Sequence, residues 1–153
     1  MEDKGLSKKN KVVIFDIDGT LSNCEHRQHF LEAEPKDWTN FFKSAEHDEP
    51  IEPMHGLLTL LKATGDIDIV LCTGRAERMR PLTLKWLEQH KVIFDELHMR
   101  PDSDRRSDAL VKKEMIQIIG RERIWFVVDD RNQVVQMWRK EGLLCLQCAD
   151  GNF

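Results

Sequence analysis

A run of four apolar residues at 12–15, Val-Val-Ile-Phe, passes directly into the stretch Asp-Ile-Asp-Gly-Thr at 16–20. A short and continuously apolar run is typical of a strand that is covered on both faces of a parallel sheet. Open α/β sheets bind ligands beyond the carboxyl ends of their strands, which is where these two aspartates would lie. The junction therefore predicts a buried first strand with a polar site at its end.

Further apolar runs alternate with segments of helical period along the chain. Strands are predicted at 12–15, 67–72, 96–99, 124–128 and 143–148. Helices are predicted at 55–65, 81–90, 107–120 and 131–142. This alternation favours an α/β fold with a doubly wound, Rossmann-like parallel sheet of about five strands.

The rest of the organisation follows from composition. Residues 24–53 interrupt the alternation with two short helical patterns and several prolines, so we expect a small helical cap insert there. Residues 1–10 are polar and charged and are expected to form a flexible tail, followed by a single domain at 11–153. The chain has no apolar run near the roughly 18 residues of a membrane span and no secretory signal, which predicts a cytoplasmic protein without a membrane partner.

Charge and cysteine content restrict the kind of partner. The formal net charge is −4, so we expect any nucleic acid to be contacted over a short length only. The cysteines are Cys24, Cys72, Cys145 and Cys148, and the last two form a Cys-x-x-Cys pair. No second pair completes a zinc site, which favours buried structural cysteines over metal or redox roles.

Polar residues follow each of the first four predicted strands. They are Asp16, Asp18, Gly19 and Thr20, then Thr73, Gly74 and Arg75, then Arg100, and finally Asp129 and Asp130. Four carboxylates at one sheet edge repel one another strongly unless a cation joins them. Oxygen ligands without His or Cys favour Mg²⁺. The sequence therefore predicts a Mg²⁺ site formed by Asp16, Asp18, Asp129 and Asp130.

A phosphate group would explain the remaining polar residues at this edge. Lys112, the arginines, a threonine hydroxyl and glycines that expose backbone N–H groups all suit an anion. Asp16 can attack phosphorus to form an aspartyl-phosphate. Asp18 lies two residues on, and therefore on the same side of an extended backbone, where it can exchange protons with the leaving oxygen and the incoming water.

Each motif also has an ordinary structural interpretation. Residues 16–20 alone suit a turn, residues 73–75 suit a strand-to-helix turn, and residues 129–130 suit a helix N-cap. Lys112 taken singly is more typical of a solvated lysine, and a calcium loop of the EF-hand type lacks its further acidic ligands here. The combination favours a catalytic site, because four separate segments would each have to place a suitable residue at a strand end.

These residues together resemble a known superfamily. Residues 15–22, 71–75 and 127–130, with Lys112, are similar to the four motifs of the haloacid dehalogenase (HAD) superfamily of phosphotransferases. Arg27 and the stretch 99–114, Met-Arg-Pro-Asp-Ser-Asp-Arg-Arg-Ser-Asp-Ala-Leu-Val-Lys-Lys-Glu, resemble the phosphatase domain of the bacteriophage polynucleotide kinase/phosphatase family. The resemblance implies a Mg²⁺-dependent phosphatase that removes a 3′-phosphate from a nucleic-acid end or nucleotide. The expected location is the cytoplasm, which would be the host cytoplasm if the protein is encoded by a phage.

The resemblance also implies roles for single residues. Asp16 would be the nucleophile and Asp18 the acid/base, while Thr73 and Lys112 would hold the phosphoryl group. Asp129 would bind or orient the metal together with Asp130. The expected substrate contacts are Arg27, Gly74, Arg75 and Arg100.

Two other functions stay open on the sequence alone. One is a nucleoside 5′-monophosphatase or other small-molecule phosphatase of the same superfamily, and the other is a non-catalytic module that binds phosphorylated ends in a repair complex. No Gly-x-x-x-x-Gly-Lys-Ser/Thr kinase motif occurs in the chain. A separate kinase or ligase is therefore an expected partner. The tryptophans are expected to pack in the core or an interface, except that Trp38 of the insert is a candidate for stacking on a base.

Overall fold

The computed structural model describes residues 10–152 and contains a five-stranded parallel sheet flanked by helices. The described residues form the strands β1 (Lys11–Phe15), β2 (Ser22–Asn23), β3 (Glu49–Pro50), β4 (Ile67–Ala76), β5 (Glu96–Arg100), β6 (Ile124–Asp129) and β7 (Cys145–Gln147), of which β2 and β3 make a separate two-stranded sheet. The α-helices are α1 (His29–Glu32), α2 (Trp38–Lys43), α3 (Glu52–Ala63), α4 (Arg80–Gln89), α5 (Asp108–Ile119) and α6 (Asn132–Lys140). The strand order of the main sheet is β5-β4-β1-β6-β7.

The central strand, β1, is buried on both faces of the sheet. Successive side chains of a strand point to opposite faces, so Val12 and Ile14 enter one core while Val13 and Phe15 enter the other. The helices close these cores with Ile116 and Trp138 from α5 and α6 on the first face, and with Leu58 and Trp86 from α3 and α4 on the second. Helices on both faces of a parallel sheet confirm the predicted doubly wound α/β fold.

The second predicted strand continues further than its apolar run. It was expected at 67–72, but β4 extends to Ala76, which pairs with Arg100 of β5 after a register irregularity between Cys72 and Ala76. The polar residues at 73–75 therefore lie inside a bulged strand end. Such bulges are frequent next to active sites because they redirect side chains.

The predicted insert is present as two short helices beside the end of β1. It consists of α1 and α2 with 3₁₀ turns at Glu25–Arg27 and Ser44–His47. Antiparallel pairing of β2 with β3, through Ser22↔Pro50 and Asn23↔Glu49, joins the two ends of the insert. The insert is therefore closed at its base and sits next to the loop that carries Asp18.

Other predictions concern the termini and cysteines. The expected flexible tail at 1–10 falls almost wholly on residues outside the described part, and the single domain at 11–153 stays a prediction. All four cysteines are free, with Cys24, Cys72 and Cys145 buried and Cys148 half-buried. In the described part of the chain, no helix has the length and apolar character required to cross a membrane.

Candidate active site

Three of the predicted metal carboxylates meet at the carboxyl ends of β1 and β6. These strands are parallel neighbours in which Phe15 pairs with Val128, and the Asp16 N–H donates to the Val128 carbonyl at 3.0 Å. Among the described residues, Asp16, Asp129 and Asp130 each offer a carboxylate oxygen, and these oxygens lie within 4.8 Å of one another. All three side chains are buried, so their charges are poorly screened by water.

Lys112 compensates part of this charge. Its Nζ donates to Asp16 Oδ1 at 2.8 Å and to Asp129 Oδ2 at 2.9 Å, and its side chain is only 3% exposed. Burial would lower the pKa of Lys112, but the charges of Asp129 and Asp16 raise it well above its usual value. The lysine therefore stays protonated between two strand ends, which is not the solvated lysine of the ordinary interpretation.

One lysine does not balance three carboxylates. Burial, followed by the charge of Asp129, raises the pKa of Asp16 well above its usual value. The same two causes raise the pKa of Asp130 to about 6. Raised carboxyl pKa values in an oxygen-only cluster are the condition that a divalent cation relieves, so these residues fit Mg²⁺.

Neighbouring groups fix the orientation of the cluster. The Thr20 hydroxyl donates to Asp16 Oδ2 at 3.1 Å, and the Trp138 indole N–H donates to Asp129 Oδ2 at 3.1 Å. Gly19 has φ +84°, and a Cβ there would lie 2.1 Å from Asp130 Oδ2. Glycine is therefore required sterically at position 19, because it lets the loop after β1 pass so close to Asp130.

Asp18 lies outside this carboxylate cluster. Its Oδ1 accepts from Arg27 Nη2 at 2.5 Å and from Arg75 Nη2 at 2.6 Å. Burial alone would raise the pKa of Asp18, but the charges of Arg75 and then Arg27 outweigh it and hold the pKa below its usual value. The geometry does not support the expectation that the Asp18 side chain binds the metal, because its oxygens are engaged by guanidinium groups.

Arg27 and Arg75, which were predicted to contact substrate, are fully enclosed by protein. Arg27 donates from Nε and Nη2 to Asp48 at 2.8 and 2.7 Å, in addition to Asp18, and its guanidinium lies 4.4 Å from the centroid of the Phe41 ring. Arg75 also donates from Nη1 to the Thr83 hydroxyl at 3.1 Å. In this form of the protein both arginines therefore orient Asp18, and a contact with substrate remains a prediction.

Asp48 is a residue that sequence reasoning missed. It is buried in the insert, and it accepts from Arg27 and from His26 Nε2, the latter at 2.7 Å. Its backbone carbonyl also accepts from the Trp86 indole at 2.9 Å. Nothing in the local sequence His-Asp-Glu distinguishes Asp48 from a solvated acid, since its partners lie elsewhere in the chain.

We expect Asp48→Asn to lower kcat more than it raises KM. The change keeps the shape of the side chain but removes the charge that fixes Arg27, so Asp18 loses a well-ordered partner. Removing one partner from a buried hydrogen-bonded pair of charges costs roughly 3–5 kcal/mol, divided here between stability and activity. Steady-state kinetics with thermal unfolding test this, and unchanged kcat in a folded variant would show that Asp48 only closes the insert.

The remaining predicted site residues are Thr73 and Gly74 in β4 and Arg100 at the end of β5. The Thr73 hydroxyl is buried and accepts from the Arg75 N–H at 3.2 Å. The Gly74 carbonyl accepts from Arg100 Nε at 2.9 Å, and a Cβ on Gly74 would lie 2.5 Å from Asp108 Oδ1. Arg100 also pairs with Asp108, yet its side chain keeps 14% exposure, so it is the one of the three predicted arginines that is open to solvent.

The family described as "Polynucleotide kinase PNKP phosphatase domain" matches this chain over residues 10–153. The chain belongs to that family. Membership confirms the resemblance to the HAD superfamily and to the polynucleotide kinase/phosphatase type of domain. It also makes the chain a phosphatase domain, and the carboxylate and lysine cluster at the ends of β1 and β6 is its candidate active site.

Two solved structures of the Pnkp1/Rnl/Hen1 complex contain a chain similar to this PNKP phosphatase domain. Both are 33% identical and cover 96% of this chain, with TM-scores of 0.81 and 0.80. The matches cover 48% and 45% of those chains, so this chain spans about half the length of the relatives it matches. One of them is described as an RNA repair complex.

More distant structures share the fold alone. A predicted phosphatase from Clostridium acetobutylicum is 17% identical with a TM-score of 0.68, covering 90% of this chain and 84% of that one. A class C acid phosphatase from Bacillus anthracis with tungstate bound is 15% identical with a TM-score of 0.67, covering 95% and 68%. These matches place the domain in the fold of HAD phosphatases.

Proposed function

We propose that this chain is a Mg²⁺-dependent polynucleotide 3′-phosphatase that works through an aspartyl-phosphate on Asp16. The observation that carries the proposal is the position of Asp16. Its Oδ1 accepts from Lys112 and its Oδ2 from Thr20, within a buried cluster that also contains Asp129 and Asp130. A carboxylate held in this way is oriented to attack an incoming phosphoryl group.

The covalent chemistry is balanced by the residues of the site. One oxygen of Asp16 forms a bond to phosphorus while the bond from phosphorus to the sugar 3′ oxygen breaks. Asp18 gives a proton to that leaving oxygen, and then takes one from the water that hydrolyses the aspartyl-phosphate. Asp16, Asp129 and Asp130 would hold Mg²⁺, which when bound supplies positive charge against the carboxylates and the phosphate oxygens.

The state of Asp18 in the ligand-free protein bears on the first proton transfer. Arg75 and Arg27 hold its pKa low, so its carboxylate is ionised before substrate arrives. A phosphate dianion beside it acts in the opposite sense, since a like charge raises the pKa of a carboxyl group. We propose that substrate binding enables Asp18 to gain the proton it donates, and that the arginines favour its ionised form for the hydrolytic step.

The proposed substrate is a phosphorylated 3′ end. Membership in the PNKP phosphatase family supports it, and so does the small insert, which leaves the strand ends more open than a large cap domain would. The net charge of −4 favours a short contact rather than a long backbone track. By likeness to the RNA repair complex we also propose a role in repair. A separate kinase or ligase partner and a cytoplasmic location remain part of this proposal.

The test compares matched substrates. We expect kcat/KM for a 3′-phosphorylated dinucleotide to exceed that for the same dinucleotide carrying a 5′-phosphate by at least about tenfold, a difference of ~1.4 kcal/mol in transition-state binding. Both reactions are followed by phosphate release with Mg²⁺ and after chelation, and we expect chelation to abolish release. A 5′-mononucleotide is assayed beside them, and a clear preference for it would favour the small-molecule phosphatase instead. Binding without release would favour the non-catalytic module.

A further inference from the structure

The insert carries an exposed aromatic side chain at the start of α2. Trp38 opens α2 and is 48% exposed, although tryptophan is usually well buried. The Trp38 ring stacks on the Phe42 ring with centroids 5.9 Å apart, and Lys36 Nζ lies 5.8 Å from the centroid of the Trp38 ring. Trp38, Phe42 and Lys36, here called the insert platform, thus combine an accessible indole with a cation.

Contacts link the insert platform to Asp18. The Trp38 ring meets the Phe41 ring edge-on at 5.9 Å, and Phe41 packs against the guanidinium of Arg27 at 4.4 Å. Arg27 in turn binds Asp18. The accessible indole is therefore two packed contacts away from the arginine that orients the proposed acid/base.

We propose that the insert platform stacks on a nucleobase next to the phosphorylated end, with Lys36 beside the adjoining backbone phosphate. The proposal rests on the proposed function and adds to it the contact that distinguishes a nucleotide end from other phosphate esters. Indole rings stack on bases without regard to sequence, and a neighbouring cation suits the phosphate that connects them. A contact with one base and one phosphate also agrees with the net charge of −4, which favours a short contact with nucleic acid.

The experiment uses a control tryptophan. Trp125 is 56% exposed but lies near the start of β6, whereas the carboxylate Asp129 lies at its end. Trp38→Ala is expected to raise KM for a 3′-phosphorylated trinucleotide by roughly tenfold. Trp125→Ala should leave KM unchanged, and the loss of kcat/KM in Trp38→Ala should be much smaller for p-nitrophenyl phosphate, which has no base, than for the trinucleotide. Trp38→Phe keeps an aromatic face and is expected to restore most of the affinity.

A second comparison separates stacking from structural loss. Replacing the last two nucleosides of the substrate by abasic sites should raise KM for the wild type but not for Trp38→Ala. If Trp38→Ala retains the wild-type preference for base-bearing substrate, or if it loses p-nitrophenyl phosphatase activity equally, the stacking role is wrong while the 3′-phosphatase stands. If the wild type releases no phosphate from any 3′ end, both fail together.

The segment from the end of β7 onward contacts the loop that carries Asp130. A Cβ on Gly151 would lie 2.0 Å from the Asp130 carbonyl oxygen and 2.5 Å from Arg131 Cα. The Gly151 carbonyl accepts from the Asn132 N–H at 2.9 Å, and Gln147 Nε2 donates to the Asp130 carbonyl at 2.9 Å. The chain near its end therefore packs directly on the backbone of the loop that carries Asp130.

We infer that Gly151 and Gln147 are positioning residues for the metal carboxylates. Gly151→Ala would force the backbone of the Asp130 loop away, so Mg²⁺ affinity, measured by isothermal titration without substrate, is expected to fall about tenfold or more. Gly56→Ala is the matched control, since a Cβ at Gly56 meets nothing within 4 Å. Gln147→Leu, which removes only side-chain hydrogen bonds, should lower the affinity in the same direction by less. Unchanged Mg²⁺ affinity in Gly151→Ala or in Gln147→Leu would overturn the inference.

Discussion

An Asp16→Asn variant is expected to lose phosphate release by roughly four to six orders of magnitude while remaining folded. The amide is nearly isosteric with the carboxylate, but it is a poor nucleophile and cannot form the acyl phosphate. It also removes one negative charge from a buried cluster in which burial and Asp129 already raise the pKa of Asp16. We therefore expect the metal-free variant to unfold at a temperature no lower than that of the wild type.

Phosphate release and thermal unfolding are measured on the same preparation of this variant. Asp66→Asn is a suitable control, because Asp66 is an exposed acid just before β4, at the opposite end of the sheet from the carboxyl ends that form the site. A folded Asp16→Asn protein with activity within tenfold of the wild type would remove the covalent mechanism.

Lys112→Met is expected to have the largest combined effect on activity and stability. The change keeps most of the side-chain volume but leaves Asp16 and Asp129 without the ammonium group that lies 2.8 and 2.9 Å from them. Breaking a buried ion pair in this way costs roughly 3–5 kcal/mol, and loss of the positive charge at the phosphoryl site should lower kcat by about 10³ or more.

Magnesium distinguishes a charge effect from a packing effect in Lys112→Met. A cation among Asp16, Asp129 and Asp130 would relieve the same repulsion, so the difference in unfolding temperature between variant and wild type should shrink as Mg²⁺ is added. Lys113→Met, at an exposed neighbouring lysine, should leave both measurements near wild type. A temperature difference that is independent of Mg²⁺ would indicate that Lys112 acts only by packing.

Residues that directly follow apolar strands could be predicted from sequence. Parallel strands bring their carboxyl ends to one edge, so the positions of Asp16 and Asp129 follow once β1 and β6 are recognised. Lys112 was included because a cation at this edge suits a phosphate, while its role of holding the phosphoryl group was implied by the resemblance. The sheet itself was predictable because its strands are short, apolar and regularly separated by helices.

The environment of Asp18 could not be predicted in the same way. Its charge partner Arg27 depends on Asp48, which is 21 residues from Arg27 and belongs to an irregular insert. Hydrophobic periodicity carries no information about such pairings, because they involve polar residues whose partners are decided by tertiary packing. For the same reason Arg27 and Arg75 suggested substrate contacts, whereas their donors are directed largely at aspartates.

The bulged end of β4 was missed for a related reason. Thr-Gly-Arg at 73–75 has the composition of a turn, and only the pairing of Ala76 with Arg100 shows that the strand resumes. The packing of Gly151 on the backbone of the Asp130 loop was missed because the polar sequence Ala-Asp-Gly-Asn at 149–152 carries no periodic signal. In both cases the deciding interaction is a close backbone contact, which depends on the folded arrangement of distant segments.

The covalent mechanism is tested most directly by acid quenching of the wild-type protein within milliseconds of mixing with an excess of a 3′-³²P-phosphorylated oligonucleotide and Mg²⁺. We expect label to become attached to the protein, and borohydride reduction of the acyl phosphate to convert Asp16 to homoserine at that position. Release of labelled phosphate with no label on the protein would contradict this mechanism, and so would label found on any residue other than Asp16.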